Sequence, residues 1–100
     1  MAIVFYSVSP ADGAEDQPRD VNIVVSFYND SGYIQADQID AYVDGYDAYN
    51  GEYFVIPFDG VESDLVPVNI DGYDGYELTI DRAGLYDAGS TVDVTIIVPD

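Results

Sequence analysis

A nearly identical phrase occurs twice in this chain, as Asp44-Gly-Tyr-Asp-Ala-Tyr-Asn-Gly-Glu-Tyr53 and as Asp71-Gly-Tyr-Asp-Gly-Tyr-Glu77. Its carboxylates are the first candidates for chemistry. Calcium takes about six to eight oxygens from carboxylates and carbonyls, which Asp-rich, Gly-rich loops can supply. The EF-hand pattern D-x-[DN]-x-[DN]-G is absent, because Asp44, Asp47 and Asn50 are three apart, as are Asp71, Asp74 and Glu77. In an extended chain that spacing sends successive side chains to opposite faces, so one loop alone makes a poor cage. A calcium site therefore requires the two loops to meet at one end of the fold, with Asp44, Asp47, Asp71 and Asp74 converging. The competing reading is turn chemistry alone. Asp-Gly and Asn-Gly are favoured in tight hairpins because both central positions need φ > 0.

The same stretches are rich in tyrosine, which supplies large, stiff, amphipathic contact area. Tyr46, Tyr49 and Tyr73 lie beside the turns and are the candidates for contact with a protein or a glycan. Tyr42 and Tyr76 fall inside predicted strands and are read as cross-strand packing. Enzymatic chemistry has little to draw on: the chain contains no His and no Cys, which removes the usual general base, thiolate nucleophiles and Ser-His-Asp triads. A carboxylate pair of the glycosidase kind remains, with Asp47 and Glu52 or Asp74 and Glu77 as the candidates. Any chain this acidic offers such pairs by chance, and the reading is no enzyme.

The elements that must position these residues belong to one domain, residues 1–100, whose 48% hydrophobic content suffices for a continuous core without staples. Twenty acidic residues face two arginines, for a net charge of -18. Nucleic acid is repelled by such a surface, and association of bare copies is disfavoured at low salt. The opening Met1-Ala-Ile-Val-Phe-Tyr-Ser-Val8 lacks a basic flank and is too short for a signal core or membrane span, so no membrane partner is expected.

Alternation with a period of two dominates, and no helical stripe is found. Strands are predicted over 3–8, 21–28, 38–43, 53–58, 65–70, 76–80 and 91–98, an all-β pattern of about seven strands that reads as an antiparallel sandwich. Val21, Ile23, Val25 and Phe27 share one face and are the candidate core, as are Tyr76, Leu78 and Ile80, and Val92, Val94, Ile96 and Val98. Turns are predicted at Pro10 to Gly13, Asn29 to Gly32, Asp44-Gly45, Asn50-Gly51, Asp59-Gly60 and Ala88-Gly89. The segment between Val43 and Phe54 admits two hairpin registers.

Three phrases in this order carry a resemblance. Val8-Ser-Pro-Ala-Asp-Gly-Ala14 with Arg19-Asp-Val-Asn-Ile-Val-Val-Ser-Phe27, then Ile39-Asp-Ala-Tyr-Val-Asp-Gly45 with Ala48-Tyr-Asn-Gly51, then Gly75-Tyr-Glu-Leu-Thr-Ile-Asp81 with Asp87-Ala-Gly-Ser-Thr-Val-Asp-Val-Thr-Ile96, resemble bacterial and phage immunoglobulin-like repeats. The resemblance implies a single immunoglobulin-like antiparallel β-sandwich and a non-enzymatic structural module of a phage virion, as capsid decoration or tail component. Its partners are then other virion proteins, and it resides in the virion after synthesis in the host cytoplasm. The alternative it implies is a repeat of a bacterial surface adhesin, excised from a larger exported protein, stiffened by calcium or binding glycan. No cofactor other than calcium is expected. The chain ends soon after the Val92 strand, where many such repeats continue, which is read as a free-standing domain or as a repeat whose edge a partner completes.

Overall fold

A computed structural model describes residues 3–9, 21–30, 34–84 and 92–98. The described strands are β1 (Ile3–Ser9), β2 (Ile23–Asn29), β3 (Asp40–Val43), β4 (Tyr46–Tyr49), β5 (Asp64–Ile70), β6 (Tyr73–Ile80) and β7 (Val94–Ile97), with a 3-10 turn, Ala36–Gln38, leading into β3. All pair antiparallel, in a four-stranded sheet ordered β1-β2-β6-β5 and a three-stranded sheet ordered β4-β3-β7. The fold is an all-β sandwich.

Alternation decides which residues meet between the sheets. Ile23, Val25 and Phe27 of β2 and Leu78 and Ile80 of β6 are buried, and they meet Ala41 and Val43 of β3 with Ile34, Ile39, Ala48, Tyr49 and Phe58 in one cluster. Tyr76 packs against that cluster, as its phase predicts. In β1, register slips by one residue between Phe5 and Ser7, so Tyr6 is a bulge. The slip puts Phe5 opposite Phe27 and Val8 opposite Val25, both on the inward face.

One expectation fails locally. No strand forms over 53–58; residues 50–63 make a loop that touches β4 through one isolated bridge, Tyr49 to Phe54, and a bond from the Val55 N–H to the Ala48 carbonyl, 2.9 Å. The Asn50 side chain is the reason, because its Oδ1 accepts the N–H groups of both Glu52 and Tyr53 at 2.9 Å and curls the chain away from extension. The strand that does follow Asp44-Gly45 is β4, in the register Val43 opposite Tyr46, with a slip between Ala41 and Tyr42. Further on, the loop is fastened to the end of β6. The Ser63 hydroxyl accepts the Asp81 N–H at 2.8 Å and lies 2.8 Å from the Phe58 carbonyl, to which it donates. The predicted turns at Pro10 to Gly13 and Ala88-Gly89 lie outside the described residues.

Candidate interaction surface

Both Asp-Gly phrases are two-residue hairpin turns. Asp44 and Gly45 have φ of 52° and 82°, Asp71 and Gly72 have 54° and 87°, and in each case the next tyrosine opens the returning strand. The repeated phrase is thus one local solution used twice, since only Gly, and Asp or Asn at small cost, take two successive positive φ values.

Among the described residues no group of three acidic side chains is placed to hold one ion, and Asp44, Asp47, Asp71 and Asp74 do not converge. Asp44 is instead committed locally: its N–H donates to the Asp93 carbonyl at 2.7 Å and its Oδ1 accepts the Asp93 N–H at 2.8 Å, tying the β3–β4 turn to the start of β7. Asp44→Ala removes that acceptor and a residue tolerant of positive φ, and is expected to lose about 1–2 kcal/mol in urea unfolding, whereas Asp44→Asn should stay within about 0.5 kcal/mol of the parent. Equal losses in the two variants would refute this role. Asp74 and Glu77 project to opposite faces of β6, so they cannot act as a carboxylate pair.

The three tyrosines also separate. Tyr46 is exposed at the start of β4, on the three-stranded sheet. Tyr73 lies on the outer face of the other sheet, stacked on Tyr28 with ring centroids 5.2 Å apart and planes 8° apart. Gly75, opposite Tyr28 on β6, leaves room for this pair, because a Cβ there would run into the Phe27 carbonyl and crowd the Tyr28 Cβ. Tyr49 differs from the expectation of a surface contact: it is 7% exposed and packs on Phe54 at 4.7 Å. The slip in β3–β4 turns it inward, beside buried Ala48.

Burial pushes the Tyr49 phenol above its ordinary 10.0, with the Asp37 carboxylate and the Tyr76 phenol adding to the rise. The folded state therefore holds this proton at a pH where the unfolded chain has released it. The contribution is complete below pH 10.0 and is lost as pH climbs through the raised folded value. The melting midpoint should fall with pH above 10.0 more steeply in the parent than in Tyr49→Phe. Parallel curves would mean that Tyr49 contributes nothing to alkaline unfolding.

A surface that sequence reasoning missed lies along the side of the sandwich away from the 50–63 loop. That loop joins β4 to β5, runs beside β4 and is pinned to β6 at Asp81, so it closes the β4/β5 side. The remaining edges are β1 and β7. Three strands lie against four, and among the described residues no strand pairs with the outer edge of β7 or stands opposite β1. Inward-facing side chains show the consequence. Phe5 and Val8 are 48% and 46% exposed although their partners Phe27 and Val25 are 0% and 2%. Val94, predicted as core, pairs with Val43 on the inward face yet is 36% exposed, because nothing flanks it on its outer side among the described residues. Val92, Ile96 and Val98 are only partly buried against the core. Among the described residues, the result is a set of core-facing apolar side chains left exposed on the edge strands β1 and β7. No known protein family, curated protein or solved structure matches this chain.

Proposed function

We infer that this chain is a non-enzymatic structural module that works through protein–protein contacts, as a capsid decoration or tail component of a phage virion. The observation that carries the contact reading is the exposure of core-facing Phe5 and Val8 on β1 and of Val94 on β7, edge strands whose outer sides no other strand flanks among the described residues. Edge strands accept backbone hydrogen bonds, and exposed inward-facing side chains accept apolar contacts. The virion setting is supported by the resemblance of the three sequence phrases to phage and bacterial immunoglobulin-like repeats. Net charge of -18 suits a particle surface, since it keeps copies apart when they are not docked.

The test is direct. Particles purified from the native host, analysed by quantitative mass spectrometry after density-gradient separation, should contain the chain at fixed stoichiometry to the major capsid or tail protein. Its recovery only from the bacterial envelope would overturn the virion reading in favour of a surface repeat.

A further inference from the structure

We propose that Asn50-Gly51 is a self-modifying latch: the fold keeps this asparagine from deamidating while the 50–63 loop is closed, and succinimide chemistry at the pair makes an opening of the loop permanent. The step needs only water. The Gly51 nitrogen bonds to Cγ of Asn50 and gives up its proton, and the side-chain amide leaves as ammonia. Water then opens the cyclic succinimide at either carbonyl. One product is aspartate with the original backbone; the other is isoaspartate, in which the chain runs through the side chain and is longer by a methylene. Glycine after asparagine hinders this attack least, because it has no Cβ and turns freely.

Three features of the fold oppose the attack. Reacting atoms must come within about 3–3.5 Å along an open path, so the Asn50 side chain and the Gly51 peptide have to turn toward one another. The Asn50 Oδ1 accepts the N–H groups of Glu52 and Tyr53, both at 2.9 Å, and the Asn50 N–H donates to the Tyr53 carbonyl at 3.3 Å, so its side chain and backbone are held in one turn. Gly51 is buried, with φ of 91°, and sits so close to the Asp37 carbonyl that even a Cβ would run into it, which leaves its peptide no room to swing. Gly45 and Gly72, at the hairpin tips, have nothing within 4 Å of that position. The loop is also fastened beyond the pair, by the Val55 N–H on the Ala48 carbonyl at 2.9 Å and by the Ser63 hydroxyl between Phe58 and Asp81.

Opening of the loop is therefore the gate, and local opening of this kind costs less than global unfolding. Isoaspartate then bars the way back. The longer link between positions 50 and 51 cannot keep Gly51 against Asp37 and the Asn50 turn intact together. The product also adds a carboxylate next to Glu52, in a chain whose net charge is already -18.

The experiment ages the purified 100-residue chain in mildly alkaline buffer and follows deamidation and isoaspartate at position 50 by peptide-resolved mass spectrometry. In urea, Asn50 should react at least about tenfold faster than in the folded chain. Ser63→Ala removes the tie to Phe58 and Asp81 without touching position 50, and should speed the folded reaction at least about fivefold. Val25→Ala weakens the core between the sheets and should leave the rate within about twofold of the parent, each variant being read below its own melting transition. Molecules carrying isoaspartate, separated by anion exchange, should exchange the Val55 amide faster than the parent while the Leu78 amide stays protected. Equal rates in urea and in the folded chain would overturn the proposal. A faster folded rate would do the same, because the Glu52 and Tyr53 N–H groups would then be stabilising the oxyanion of the attack. Equal acceleration in Ser63→Ala and Val25→Ala would place the opening at global unfolding and overturn it, as would parent-like protection of Val55 in the isoaspartate form.

Discussion

Phe27→Ala is expected to lower unfolding free energy by about 3–5 kcal/mol, the range for removing a fully buried aromatic ring. Phe27 is 0% exposed on a central strand, and Phe5 packs on its ring at a centroid distance of 5.8 Å. Its loss leaves a void that the flanking strands cannot close, because β1 and β6 hold β2 from both sides. A domain of this size holds about 5–15 kcal/mol in total, so the variant should melt near or below body temperature if the parent sits at the low end. Urea unfolding measures this, and a loss under about 1.5 kcal/mol would mean that the sheets repack around the deletion, contrary to the packing described.

Gly51→Ala should cost about 2–4 kcal/mol, although Gly51 lies in a loop. Its φ is 91°, and a Cβ would run into the backbone carbonyl of Asp37 in the 3-10 turn, which has no flexible side chain to yield. Gly45→Ala is the comparison, since φ there is 82° but the position opens to solvent. Strain alone should cost that variant about 1–2 kcal/mol. The difference between the two isolates the contact that locks the 50–63 loop to the turn before β3. Similar losses at both positions would show that backbone conformation alone accounts for the effect.

Legibility differed from element to element for physical reasons. In 21–28 and 76–80 each inward residue is apolar and each strand has neighbours on both sides, so alternation alone identifies the buried face. The Asp-Gly turns were equally readable, because positive φ at two successive positions selects few residue types. Strand β4 was missed because Tyr-Asp-Ala-Tyr has no alternation and pairs through a slip, and the same slip buries Tyr49. The false strand over 53–58 has the right composition, but the Asn50 side chain bends the chain immediately before it. The exposure of three inward-facing residues could not be read from alternation. Phe5, Val8 and Val94 carry the signature of core residues, and their exposure depends on how many strands each sheet contains, which is a property of topology.

That topology also sets how the chain reaches its fold. The two Asp-Gly hairpins join neighbouring residues and can close within about 1–10 μs of the start of folding. The central ladder of the larger sheet, by contrast, pairs Ile23 with Ile80, and Tyr28 with Gly75, so most of the chain must be enclosed before it registers. Folding should therefore fall in the millisecond-to-second regime of sandwiches dominated by distant pairings. Until β2 finds β6, the hairpins already formed present one-sided apolar faces to solvent. The chain's strong like charge then acts as a kinetic safeguard, holding incomplete molecules apart for the time that this one late pairing requires.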